Sequence, residues 1–79
     1  MSDSPIESLA ALPVGQHCCV TALLATGAQR RRMLELGIVQ GARIAALHQS
    51  PAGDPKAYLI QGAVIALRAE DAQKVQVQF

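Results

Sequence analysis

Arg31-Arg32-Met33-Leu34-Glu35-Leu36-Gly37-Ile38-Val39-Gln40-Gly41 is followed by Ser50-Pro51-Ala52-Gly53-Asp54-Pro55, and then by Gly62-Ala63-Val64-Ile65-Ala66-Leu67-Arg68. The first segment reads as the end of a helix with a glycine stop, since Gly37 suits the left-handed residue on which helices often close. The second is dense in turn formers and predicts a tight loop. The third is the return strand of a hairpin whose turn falls at Gln61-Gly62. These segments shape a chain and offer almost nothing for covalent chemistry.

Working outward, Thr26-Gly27-Ala28-Gln29 has the spacing of a capping box and opens the helix that runs through Leu36. Met33 and Leu36, with Leu34 beside them, form its apolar stripe, and Arg30, Arg31 and Glu35 fall elsewhere. Upstream, His17 to Leu24 alternates as a strand, and the wholly apolar set Cys18, Val20, Ala22 and Leu24 is placed inward. Arg43 to Gln49, Lys56 to Ile60 and Ala63 to Arg68 are the next strands. Ala69-Glu70-Asp71-Ala72 suits one helical turn. Val75, Val77 and Phe79 alternate with Gln76 and Gln78, which predicts a last strand with one wet face. At the other end, Ser4-Pro5-Ile6-Glu7 is a second capping box with proline at the first helical position, predicting a short helix from about Pro5 to Ala11. Leu9 and Leu12 would then lid one end of the fold.

The expectation is a mostly β chain with short helices. It is a five-stranded, SH3-like small barrel with a helix inserted after the first strand. Closure of five short strands removes exposed sheet edges and encloses a core of small aliphatic side chains. The 79 residues make one domain, with residues 1–14 as a helical lead-in and 15–79 as the barrel.

Composition excludes several function classes. A net charge of +1 gives no electrostatic footprint for nucleic acid or an anionic membrane. No apolar run approaches the roughly 18–20 residues of a membrane-spanning helix. The first five residues carry no basic segment leading into an apolar one, so a cytoplasmic location is expected. Cys18 and Cys19 are the only cysteines, and neighbours on a strand point to opposite faces, which agrees with a reducing compartment.

Nucleophilic catalysis needs a nucleophile, a base and an orienting group, and no spacing of the serines with His17 or His48 suggests one. Gly37 and Gly41 follow a helix, whereas a phosphate-cradling loop precedes one. No enzyme activity and no cofactor are therefore expected. His17, Cys19 and His48 are the candidate metal donors. They lack the helical i, i+4 or Cys-x-x-Cys spacing that makes a site readable, so ferrous iron has no evident ligand set. Arg30-Arg31-Arg32 is the one charge run. Tyr58 is the sole aromatic interior to the chain, so a base-stacking platform is missing, and an acidic protein surface fits the arginines better than RNA.

Arg32-x-x-x-Leu36-Gly37-Ile38-x-x-Gly41, then Ser50-Pro51-x-Gly53-Asp54-Pro55, then Gly62-x-x-Ile65-Ala66-Leu67-Arg68, resembles the ferrous-iron-transport protein A (FeoA) family. The order and spacing of the three motifs carry the match, which runs from about Gly15 to Phe79. The barrel is also similar to the C-terminal domain of iron-dependent repressors. The resemblance implies a small cytosolic accessory protein of ferrous iron uptake that binds FeoB, a membrane transporter with a cytosolic G domain, and modulates it, and that reaches the membrane only through that partner. On this reading Met33, Leu34, Leu36 and Ile38 supply the apolar part of a contact surface. Arg30, Arg31 and Arg32 form its polar rim, with Pro51 and Asp54 on the flanking loop. A metal-responsive sensor using His17, Cys19 and His48 is the alternative, and an RNA-binding barrel is a third. An apolar helix face on so small a domain makes homodimers an expectation in crystals.

Overall fold

The computed structural model describes residues 6–79. Six strands, a 3₁₀ turn and two helices follow in the order β1 (Ile6–Ser8), the 3₁₀ turn (Leu9–Ala11), β2 (His17–Leu23), α1 (Gly27–Glu35), β3 (Arg43–Gln49), β4 (Lys56–Ile60), β5 (Ala63–Leu67), α2 (Ala69–Ala72) and β6 (Val75–Gln78). All strand pairs are antiparallel, in the order β1-β6-β2-β3-β4-β5. The sheet wraps one core, in which Leu9, Leu12, Ile38, Ile44, Ile60, Val75 and Val77 are wholly buried beside Val20, Met33 and Tyr58. The mostly β barrel expected from the sequence is present, with α1 inserted after the strand that opens at His17. Among the described residues its two end strands, β1 and β5, do not pair with each other, so the barrel is open.

The amino-terminal expectation is corrected. Glu7 lies in a strand opposite Val77, and only Leu9 to Ala11 turn, in 3₁₀ form. Ser4 and Pro5, half of the capping box, lie outside the described residues. A one-turn helix gains few internal hydrogen bonds for the dihedrals it fixes, whereas pairing with β6 satisfies the same backbone against an existing strand. The lead-in is therefore part of the sheet, which has six strands instead of five. Leu9 and Leu12 do close the core.

β2 departs from simple alternation. Its pairing with β6 shifts register between Val20 and Ala22, and the bulge changes the phase of every later side chain. Leu23 packs on the core, while Leu24, expected inward, is 53% exposed. β6 sits between β1 and β2, so Gln76 and Gln78 are half-buried and its outer face is not fully wet; Phe79 lies beyond the strand and is exposed.

α1 begins after Thr26, but Thr26 makes no side-chain cap. Gln29, expected to complete the capping box, donates instead from Nε2 to Asp71 Oδ1 on α2, at 2.8 Å. The carboxyl-terminal stop forms as read. Gly37 has φ +93°, its amide donates to the Leu34 carbonyl at 3.0 Å, and the Ile38 amide donates to the Met33 carbonyl at 3.0 Å. This pair of bonds is the Schellman closure, and its apolar contact is supplied by the buried Met33 and Ile38. The β4–β5 hairpin turns on Gln61 (φ +51°) and Gly62 (φ +81°), the signature of a type I′ turn. A side chain at Gly37 would meet that turn, because a Cβ there lies 2.6 Å from Gln61 Cγ.

Candidate interaction surface

α1 projects the charge run outward. Arg30 and Arg31 are exposed and make no ion pair with another described residue. Arg32 is held down, donating from Nη2 to Asp71 Oδ2 at 3.3 Å. Asp71 thus ties α1 to α2 by accepting from both Gln29 and Arg32. An ion pair this open contributes up to about 1 kcal/mol, so its role is mainly to orient Arg32.

The apolar half of the expected surface divides in two. Met33 is 1% exposed and Ile38 is 0% exposed, so neither can touch a partner. Their stripe faces the sheet because the helix must bury it there, so both belong to the core and not to the contact surface expected of them. Leu34 is 40% exposed, one step around the helix beside Arg30 and Arg31. Leu36 is half-buried and lines a groove. That groove, about 510 Å³ and open to solvent, runs between the end of α1, β5 and α2, and is bordered by Arg32, Leu36, Ile65, Leu67, Arg68 and Asp71.

The loop from Ser50 to Pro55 is bound internally. The Ser50 amide donates to the Pro55 carbonyl at 3.1 Å, its hydroxyl donates to the Asp54 carbonyl at 2.9 Å, and the Gly53 amide donates to the Ser50 carbonyl at 2.8 Å. The peptide bond before Pro55 is cis. Pro51 is exposed at the loop. Asp54 reaches α2 instead, where its Oδ1 accepts from the Ala69 amide at 2.9 Å. A carboxylate on the first amides of a helix satisfies donors that have no partner within the helix, so Asp54 has a structural task at this position.

Behind the loop, Lys56 Nζ donates to the carbonyls of Leu12 at 2.7 Å and Ala10 at 3.3 Å, and lies 5.8 Å from the centre of the Tyr58 ring. The Tyr58 hydroxyl donates to the Leu9 carbonyl at 3.5 Å. Burial pushes the Tyr58 phenol up to about 12, with Cys18 and Asp54 adding to the rise. These contacts fasten the 3₁₀ turn across the core. Carbonyls 44 to 49 residues away leave no local pattern, so this fastening is not legible in the sequence of β4.

The candidate metal donors are spread. His17 and Cys19 stand two residues apart on the outer face of β2, in an open depression of about 290 Å³ with Arg43, Gln78 and Phe79. Arg43 is the cross-strand partner of Cys19, which sets a fixed positive charge beside the thiol. His17 pairs with Ala45 and His48 with Ala57, beyond a second bulge in β3, so the register does not set the two imidazoles opposite each other. Among the described residues no three His, Cys, Asp or Glu side chains gather into a cluster that could hold a metal. Cys18 faces the core, where burial, with Cys19 adding, pushes its thiol up to about 11 and keeps it protonated.

Comparison with known proteins gives this geometry a context. A family model described as FeoA domain matches residues 7–78. The chain is 34% identical over 71 residues to an Fe(2+) transport protein A/Fe(2+) transporter FeoB fusion protein of Porphyromonas gingivalis. The match takes in 90% of this chain and spans only 8% of the fusion protein. The solution structure of FeoA from Chlorobium tepidum is 33% identical with a TM-score of 0.85, over 91% of this chain and 69% of that one. The crystal structure of Stenotrophomonas maltophilia FeoA complexed with zinc, described as a prokaryotic SH3 domain protein, is 30% identical with a TM-score of 0.79, over 89% of this chain and 87% of that one. The fold recurs in a manganese-dependent transcriptional repressor, 22% identical with a TM-score of 0.83 over 99% of this chain and 44% of that one, a likeness of fold alone.

Proposed function

The chain belongs to the FeoA family, and from that premise we propose that it is a non-enzymatic accessory of ferrous iron uptake, acting by contact with a FeoB-type membrane transporter. The observation that carries this reading is the fusion relative, in which a domain 34% identical to this chain shares one polypeptide with the transporter. Fusion holds two modules at high effective concentration, an arrangement that serves partners working in contact. Among the described residues no helix is long and apolar enough to cross a membrane, so attachment through the transporter, on its cytoplasmic side, completes the proposal. Arg30, Arg31 and Leu34 on α1, with the exposed Pro51 of the Ser50–Pro55 loop, are the surface residues assigned to contact. The test is capture of the transporter's soluble cytoplasmic domain by this chain under reducing conditions, repeated with Arg30→Glu/Arg31→Glu. Retention by the native chain and loss in the variant support the reading; no retention by the native chain refutes direct contact.

The metal-responsive reading has one observation in its favour, the zinc complex of the Stenotrophomonas maltophilia relative. In this chain His17 and Cys19 would be the donors, with Arg43 opposing a cation at the same depression. Anaerobic calorimetry with ferrous iron tests it: heat that disappears in His17→Ala supports a site, and no heat removes it.

A further inference from the structure

β5 is an end strand of the sheet, and its sequence, Ala63-Val64-Ile65-Ala66-Leu67, carries no charge and no proline. It pairs with β4 in unbroken register from Ile60↔Ala63 to Lys56↔Leu67, without a bulge. Proteins blunt exposed edges with charges, prolines or bulges, and β5 has none of these. The two-residue turn makes Ile60↔Ala63 a hydrogen-bonded pair, so Tyr58↔Ile65 and Lys56↔Leu67 are also hydrogen-bonded. The amides and carbonyls of Val64 and Ala66 therefore point away from β4, and neither residue makes a hydrogen bond to another described residue on that side. Val64 is also 63% exposed, more than any other large apolar residue described. Beside this edge runs the groove floored by Leu36, Ile65 and Leu67.

We propose that β5 is a docking edge, on which an extended apolar segment of the transporter, carrying one carboxylate opposite Arg68, adds as a further strand. The proposal rests on the functional reading above and deepens it. Four main-chain groups at i and i+2 present the donor–acceptor pattern that strand addition uses, and alternate side chains of the incoming segment enter the groove. Charge sets the register. Arg32 is paired with Asp71, whereas Arg68, in line with Val64 and Ala66, is exposed and has no ion-pair partner among the described residues. A carboxylate across from it forms a favourable cross-strand pair. A second copy of this chain fits less well. The two-fold axis of an antiparallel β5–β5 pair stands perpendicular to the sheet and brings both α1 helices, which wall this groove, to the same face.

The test is amide hydrogen exchange of the native chain, alone and with the transporter's soluble cytoplasmic domain. The amides of Val64 and Ala66 are expected to exchange freely in the isolated chain and to slow by about tenfold or more in the complex. Ala66→Pro removes the outward donor while leaving the β4 ladder bonded, and should weaken binding about tenfold, the effect of one lost main-chain hydrogen bond. A complex that leaves both amides unprotected, or that Ala66→Pro does not weaken, overturns the proposal and leaves the functional reading standing. The absence of any complex overturns both. Protection that appears in the isolated chain together with a doubled mass assigns the edge to a second copy and also overturns the proposal.

Discussion

Replacing Met33 by alanine separates the residues of α1 that build the fold from those that serve its surface. Met33 is 1% exposed, packs in the core cluster and forms with Ile38 the apolar contact of the helix closure. Truncation of a buried methionine costs about 2–5 kcal/mol, from lost transfer energy and from the cavity left behind. Met33 is on the inner face of α1, a single short helix that can settle toward the sheet, which favours the lower half, about 2–3 kcal/mol. A chain this size has a total stability of about 4–12 kcal/mol. One kcal/mol shifts its melting midpoint by about 4–8 °C, so Met33→Ala should lower the midpoint by about 8–24 °C. Leu34→Ala, at a side chain 40% exposed, should change stability by no more than about 0.5 kcal/mol. Calorimetry and urea unfolding of the two variants make the measurement. Equal effects, or a larger loss at Leu34, would refute the division of the helix into a core stripe and an outer face.

Two further outcomes follow from the same geometry. Gly37→Ala should destabilise by about 1–2 kcal/mol, because the position requires a left-handed backbone, and more if Gln61 cannot move from the new Cβ; an unchanged urea midpoint would remove the closure from the account. Stability should fall as pH rises from about 9 toward 12. Burial raises Cys18 from 9.0 to about 11 and Tyr58 from 10.0 to about 12, so the unfolded chain releases these protons first and alkali favours it. Tyr58→Phe should remove the upper part of that fall, and urea midpoints measured across the range decide it.

Much of the fold was legible because its signals are local. Gly37 sat where a helix stop needs a left-handed residue, Gln61-Gly62 marked the hairpin, and the Val75 and Val77 alternation showed a buried strand face. What stayed hidden depends on pairing between distant segments. Glu7 was read with Ser4 as a cap, yet its backbone is taken by Val77. Leu24 lost its inward place to a bulge that no residue in β2 announces. Gln29 and Arg32 answer to Asp71, about 40 positions away. Met33 and Ile38 were assigned to a surface because an apolar stripe looks the same whether the sheet or a partner covers it. The edge at β5 did leave a trace, an apolar run from Ala63 to Leu67 after a tight turn, but strand order is needed to show that no other described strand pairs with it.

On the function proposed above, this small barrel works by touching the transporter. Titration of the native chain into the transporter's soluble cytoplasmic domain, under reducing conditions and followed by calorimetry, tests it most directly. Saturable one-to-one binding is expected, weakened by Arg30→Glu/Arg31→Glu while the melting midpoint of the chain is unchanged. Binding indifferent to that charge reversal would contradict the assigned surface, and no binding at all would contradict the claim itself.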